Sequence, residues 1–388
     1  MGNFIESMFY QFTNTTALDA FKMMIMLSLG AILVYLAVEK EMEPSLLLPL
    51  GFGTILVNLP FTGAISQTIQ GHLEVGPLDI LYIAGIANEL FPLLLFIGIG
   101  AMIDFGPLLA NPHLLFFGAA AHLGVFLTLL LGTVIGTILP GSFSLQDAAA
   151  VASIGTADGP TAIFVSNFYN TQYMGAILVA AYSYMALVPI IQPPCIRLVT
   201  TKEERLIRMP YATDSVSRSV RIIFPVVVTI IAGLVAPRSV GLVGFLMFGN
   251  LLRECGVVNS LSETAQNAMT NTITLILGLS VSVQMHYASF LTFETLLVLA
   301  LGLFAFVADT ISGVLFAKFV NLFLKTKVNP MIGGCGISAF PMSSRVVHKM
   351  GLEEDPQNFL LIHAAGVNVA GQVASVIVGG LLLGLIPK

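Results

Sequence analysis

"IGTADGPTAIF", residues 154–164, sets a carboxylate, two glycines and a proline between apolar stretches. What surrounds Asp158 decides how that acid is read. Of 388 residues, 56% are hydrophobic and 10% charged, and the mean hydropathy is +0.92. Ordinary soluble domains carry roughly 25% charged residues. Apolar runs of about 17–25 residues recur along the chain, each long enough to cross a hydrocarbon core about 30 Å thick. A soluble domain would need far more Lys and Glu to cover its surface. The reading is an all-α polytopic, multi-pass membrane protein, with Asp158 at lipid depth.

Long apolar windows fall near 19–38, 45–63, 79–103, 112–138, 147–166 and 174–197. After a polar stretch they resume near 221–238, 240–252, 257–284, 291–322, 330–346 and 358–386. The fifth window of each half is short and broken by glycine and proline. "IGTADGPTAIF" and "IGGCGISAFP" (from Ile332) match when one residue is removed, pairing Gly159 with Gly336, Thr161 with Ser338 and Ala162 with Ala339. "FIGIGAM" around Gly98 likewise matches "ILGLSVS" around Gly278. The two pairs are offset by 178 and 180 residues, as an internal duplication requires. Chance likeness between apolar stretches is the alternative.

If each broken window is a re-entrant hairpin, each half has five crossings and the second half is inverted relative to the first. Short cytoplasmic loops collect Lys and Arg. With the central loop inside and both termini outside, 13 of the 16 basic residues fall inside, leaving only Lys22, Arg238 and Lys388 outside. The expected organisation is a first membrane repeat at 1–197 (hairpin 147–166), a basic cytoplasmic linker at 198–220 and a second repeat at 221–388 (hairpin 330–346). Paired broken helices in inverted repeats place substrate and ions near the midplane. An elevator-transporter-like architecture is the expectation.

An intramembrane acid costs at least about 2.5–3.5 kcal/mol and is a functional hypothesis by default. Gly159 and Pro160 interrupt the helix behind Asp158, freeing carbonyls and exposing amides. Hard cations take oxygen ligands, so Asp158 and Thr161 are candidates for a cation site; a plain Asp N-cap is the alternative. The second hairpin, "NPMIGGCGISAFPMSSR", adds Asn329, Gly333 and Ser338 but no acid. One carboxylate with neutral oxygens suits a monovalent cation. Asn368, in "AAGVNVAGQV", is a further oxygen or an interhelical hydrogen bond. Tyr184, in "AYSYMALVPIIQPP", offers a phenol for proton delivery or for simple packing. Asp309 is a second intramembrane acid, read as bonding between helices. His122 and His363 read as packing residues, and Asp104 as a loop or cap residue. Cys195, Cys255 and Cys335 have no metal-ligand spacing. No phosphate loop, nucleophile elbow, zinc motif or nucleic-acid module occurs. The N-terminal stretch lacks the pattern of a cleavable leader, and Ser7 misses the lipidation position. The central loop's charge is topogenic, or contacts a partner or anionic membrane lipid.

"GTADGPTAIF", "AYSYMALVPIIQPP", "AMIDFGPLLANP" and "NPMIGGCGISAFPMSSRV" resemble the signature stretches of the β subunits of sodium-translocating biotin-dependent decarboxylases, in the family's order, from about residue 20 to the C-terminus. That family serves oxaloacetate, methylmalonyl-CoA, glutaconyl-CoA and malonate decarboxylases. The resemblance implies that a carboxyltransferase subunit loads biotin on a biotin carrier protein. This subunit then decarboxylates carboxybiotin, exports Na+ and consumes a proton; the biotin is not attached to this chain. It implies roles for Asp158, Tyr184, Asn329, Gly333, Ser338 and Arg345, a homo-oligomer and a small single-span membrane partner. Cys335 and Ser343–Ser344 depart mildly from the family's small residues. The short region before the third segment fits the long-insert oxaloacetate type poorly and leaves an acyl-CoA decarboxylase open. A sodium-coupled secondary transporter of a carboxylate, or a Na+/H+ antiporter, is the alternative from another class.

Overall fold

Inside a bilayer each backbone N–H and C=O must be satisfied within the protein, which leaves helices as the default. A computed structural model of the chain describes residues 16–59, 63–69, 72–139, 142–210 and 216–388. The N-terminal stretch read above for a leader lies outside these residues, as does part of the linker.

The first half contains α1 (Ala17–Glu39), α2 (Pro44–Asn58), α3 (Pro77–Gly85), α4 (Leu90–Met102), α5 (Leu115–Ala121), α6 (Leu123–Ile138), α7 (Leu145–Ala152), α8 (Gly159–Tyr169), α9 (Met174–Ala186) and α10 (Val188–Val199). The second contains α11 (Arg218–Val235), α12 (Val240–Cys255), α13 (Thr270–Val281), α14 (Phe293–Asn321), α15 (Met342–Glu354) and α16 (Leu361–Leu385). A short antiparallel hairpin, β1 (Gln67–Ile69) with β2 (His72–Glu74), is an addition the all-helical expectation lacked.

Among the described residues, six helices are long and apolar enough to cross a membrane, and eight spans result if each bent pair counts as one. The bent pairs revise two sequence windows. The window near 79–103 is α3 and α4, turned by 64° at a break where Glu89 takes φ 65°. The window near 174–197 is α9 and α10, turned by 73° beside Pro189. Proline removes an amide that a continuous helix needs. Caps fix other starts: Thr16 accepts the Asp19 N–H, Ser144 and Asp147 close a reciprocal capping box, and Thr292 accepts the Thr295 N–H.

The helices sort into two packing groups. In one, α1 lies on α2 and α11 on α12, while α2 crosses to α13 and α4 crosses to α12. In the other, α6 packs on α14, α5 packs on both α14 and α16, and both broken segments lie against α14. Small residues set the crossings, because lipid offers no hydrophobic drive between helices and close backbone contact must do the work. A Cβ on Gly100 would stand 1.8 Å from the Leu246 carbonyl oxygen, and one on Gly249 2.0 Å from that of Ile97. At the other crossing Gly53 meets Ser282 and Gly278 meets Leu46 and Pro49. Asparagines repeat the exchange: Asn58 donates to the Met285 carbonyl (2.8 Å) and Asn250 to that of Ile103 (3.2 Å).

Ion pairs gather at one end of the molecule. Arg205 pairs with Glu354 at 2.6 Å, Arg208 with Asp355 at 2.5 Å, Arg197 with Glu353 at 3.0 Å and Lys318 with Glu204 at 3.2 Å. The Arg208 hydrogen bond holds the Asp355 carboxyl below the usual carboxylate range. At the opposite end Arg238 and Lys388 both lie over the Phe168 ring.

The crossings give a direct check. Gly100→Ala forces α4 and α12 apart and should cost about 1–3 kcal/mol or more, as over-packing does. Gly241→Ala meets nothing within 4 Å and should stay within about 0.5 kcal/mol. Thermal unfolding of the two purified variants measures the difference.

Candidate functional site

The two broken segments meet. Helix α7 passes into a 3-10 turn (Ser153–Thr156), and Ala157 then turns left-handed at φ 53°. Such a φ costs a non-glycine residue roughly 1–2 kcal/mol. The second segment is a 3-10 coil (Pro330–Gly336) that leaves into extended backbone at Ile337, and α15 follows from Met342 to Glu354, past the expected end at 346. Ser338 joins the two: its N–H (3.2 Å) and its hydroxyl (2.6 Å) both donate to the Thr156 carbonyl.

Asp158 follows two residues later and is 4% exposed. It stands at the N-cap position of α8, yet no side-chain cap hydrogen bond closes there. Its Oδ2 instead accepts the Thr161 hydroxyl, with the Gln372 and Ser375 side chains also facing the carboxylate. Among the described residues no Lys or Arg forms an ion pair with it, and no cluster of His, Cys, Asp and Glu is built for a metal.

Asp158 opens on a cavity of about 260 Å3 that straddles the two packing groups. One wall carries Asp158, Tyr182, Ser338 and Gln372; the other carries Glu43, Gln266, Thr270, Asn271 and Thr274. Two buried atoms on the first wall, Tyr182 Oη and Gln372 Nε2, have no hydrogen-bond partner among the described residues. Gly159 lets the Tyr182 ring lie against the break, since a Cβ there would stand 2.2 Å from it.

The remaining expected residues take different places. Asn329 is fully buried, and its amide holds the linker: Nδ2 donates to the Arg205 (2.8 Å) and Ile207 (2.9 Å) carbonyls, while Oδ1 accepts the Met331 N–H (3.1 Å). Gly333 lies against Gly313 of α14, where either Cβ would meet the other's carbonyl at 2.1 Å. Asn368 donates to the Ile337 (2.8 Å) and Cys335 (3.2 Å) carbonyls and keeps a buried Oδ1 with no partner among the described residues. Tyr184 donates to the Leu299 carbonyl at 2.6 Å, away from the cavity lining. Arg345 is exposed at the start of α15, and its field reaches Glu43, whose carboxyl is raised by burial and lowered by that guanidinium. Asp309 accepts the Val125 N–H at 3.1 Å, the helix-to-helix bond expected of it. His122 Nδ1 bonds the Gly118 carbonyl at 2.7 Å.

Sequence reading missed Tyr182, Gln372 and a polar row that runs from the turn before α13 into that helix. That row had a signal: Gln266, Thr270, Asn271 and Thr274 recur at helical spacing in an otherwise apolar window. Gln266 lies in a π turn (Ala265–Met269), and such turns concentrate at functional sites.

With this geometry in place, comparison with known proteins is informative. Residues 22–386 match the family described as Na+-transporting oxaloacetate decarboxylase beta subunit. The methylmalonyl-CoA decarboxylase subunit beta of Propionigenium modestum is 47% identical over 377 residues, covering 93% of this chain and 94% of its own. The glutaconyl-CoA decarboxylase subunit beta of Acidaminococcus fermentans is 45% identical over 362 residues, covering 93% and 92%. The oxaloacetate decarboxylase beta chain of Klebsiella pneumoniae is 44% identical over 407 residues, covering 92% and 94%. Identity of this order, sustained from the first described span to the last, leaves one conclusion: the chain belongs to the family of Na+-transporting decarboxylase beta subunits.

Proposed function

We propose that this subunit decarboxylates carboxybiotin, carried by a partner subunit, and uses that step to export Na+ from a site at Asp158. The observation that carries the reading is the join between Thr156 and Ser338, which sets a buried carboxylate and a hydroxyl beside one cavity. The proposed sodium ligands are Asp158, Thr161 and Ser338, with Asn368 Oδ1 as a further oxygen. Asn329 and Gly333 then serve by holding the second broken segment in place. A carboxylate stripped of water and unpaired is costly, so Na+ in this site stabilises the closed arrangement, and its departure calls for water or a proton.

Carboxybiotin decarboxylation breaks the N–C bond to the carboxyl group; CO2 leaves and the ring nitrogen takes a proton. Arg345, near Glu43 at the cavity, would receive the carboxylate through its planar fork. Tyr184 is the proposed proton donor, since a phenol with an ordinary pKa of about 10 is protonated at neutral pH. Tyr182 is the second candidate because it lines the cavity and its hydroxyl has no partner among the described residues. Expected partners are the biotin carrier protein, the carboxyltransferase and a small single-span membrane subunit, with the chain itself in a homo-oligomer. The Acidaminococcus alignment needs 362 positions and the Klebsiella alignment 407 for nearly the same share of this chain. That difference in inserted length favours an acyl-CoA as the acid decarboxylated upstream. Family membership does not favour the secondary-transporter alternative.

We further propose that the two halves are inverted repeats and that one packing group slides past the other. The reciprocal crossings and the gathering of basic linker residues at one end support this. Cysteines at Ser142 and Ser217 should label from opposite sides of sealed vesicles, and labelling from the same side contradicts the inversion.

Asp158→Asn should abolish sodium-dependent decarboxylation while the protein still inserts. Ser338→Ala should raise the sodium needed for half-activation about two- to tenfold, the worth of one hydrogen bond of about 0.5–1.5 kcal/mol. Unchanged sodium dependence in Asp158→Asn removes the site. In stopped-flow decay of pre-carboxylated carrier at saturating sodium, Arg345→Lys should be slow although it keeps the charge. Tyr184→Phe should be slow in the same assay with sodium affinity intact. Slow decay in Tyr182→Phe instead moves the donor to Tyr182.

A further inference from the structure

A second cavity, of about 430 Å3, lies on the same seam between the packing groups. It is lined by Gln172, Gln284, Ser289, Thr292 and Glu294, with no Lys or Arg among its lining residues. The Glu294 side chain has no hydrogen-bond or ion-pair partner among the described residues. The nearby Asp147, by contrast, is committed to Ser144 and Thr171. Glu294 is thus the one charged residue among the described residues lining this polar chamber.

The two cavities share two walls in the same register. Along α9, Gly175 lines the second cavity and Tyr182 the first. From α13 into the 3-10 turn that follows it (Ser282–Met285), Leu277 lines the first and Gln284 the second. Each step is seven residues, about 10–12 Å at helical rise. Between them stand Leu178, Val179 and Val281, all buried in one apolar cluster. Polar chambers thus flank a short apolar septum.

We infer that the Glu294 chamber is a monovalent-cation site at the extracytoplasmic end of the seam, which receives Na+ leaving Asp158. This deepens the sodium-export reading and rests on it. A free carboxylate, two side-chain amides and two hydroxyls make an oxygen-rich, low-affinity acceptor, and the missing basic residues leave its field attractive to cations. The septum keeps the two chambers from joining in this arrangement. Sliding of one wall by the seven-residue step would carry an ion from one to the other.

The test uses the whole complex in proteoliposomes, with Na+ set separately on each side and carboxybiotin decay as the readout. Extracytoplasmic Na+ should inhibit by filling the acceptor site. Glu294→Gln should raise the half-inhibiting concentration several-fold, and Gln284→Glu, which adds an acid, should lower it. Unchanged extracytoplasmic inhibition in both variants, with cytoplasmic activation intact, overturns the chamber. Loss of all cytoplasmic sodium dependence in the wild-type complex instead overturns the Asp158 reading, so the two failures are distinct.

Discussion

A peptide carbonyl that leaves its helix inside a bilayer must find another donor, and the Thr156 carbonyl finds two on one residue. Ser338 gives it both its N–H and its hydroxyl. An unmade bond here would cost several kcal/mol, since no lipid group replaces it. The second segment's own freed carbonyls are met in turn: Asn368 donates to those of Cys335 and Ile337, and Gln192 donates to that of Gly334 at 2.6 Å. Helix breaks at this depth persist because each is held by a partner from elsewhere in the chain. Asp158 is free to face the cavity because the backbone around it is already satisfied.

That arrangement places polar chemistry on an interface rather than within one packed body. The group carrying Asp158, Tyr182 and Gln372 faces the group carrying Glu43, Thr270 and Asn271 across open space. Elsewhere the same chain packs backbone against backbone, as at Gly100 and Gly118. The two groups also share apolar packing, as where Phe96 and Leu246 join Phe117 and Val367 in one buried cluster, so the polar gap is confined to the stretch beside Asp158.

Much of this was legible in the sequence. Composition and apolar runs gave the membrane helices, and "IGTADGPTAIF" gave the break and its acid. Glycine and proline mark such a break whatever packs around it. Bends at Glu89 and Pro189 escaped, because apolar windows measure length and not direction. Side-chain destinations escaped too. Tyr182 and Tyr184 share one motif, and only the turn of α9 decides that the first faces the cavity while the second reaches Leu299. Asn329 reads as a ligand beside its glycines, yet its amide is spent on the linker backbone. The sequence names the oxygen; the neighbour it meets lies over a hundred residues away.

The reciprocal crossings bear on how the chain is made. Helix α2 completes its packing on α13, and α4 on α12, each supplied by the other half. A ribosome delivers the first half alone. Until residues near 240–285 are inserted, Gly53 and Gly100 face lipid instead of their partners, and Asn58 has no Met285 carbonyl to meet. The early intermediate is therefore an open structure with polar and grooved surfaces toward the bilayer. Its lifetime is set by translation of the remaining chain, and it is the stage at which membrane quality control has the most to recognise.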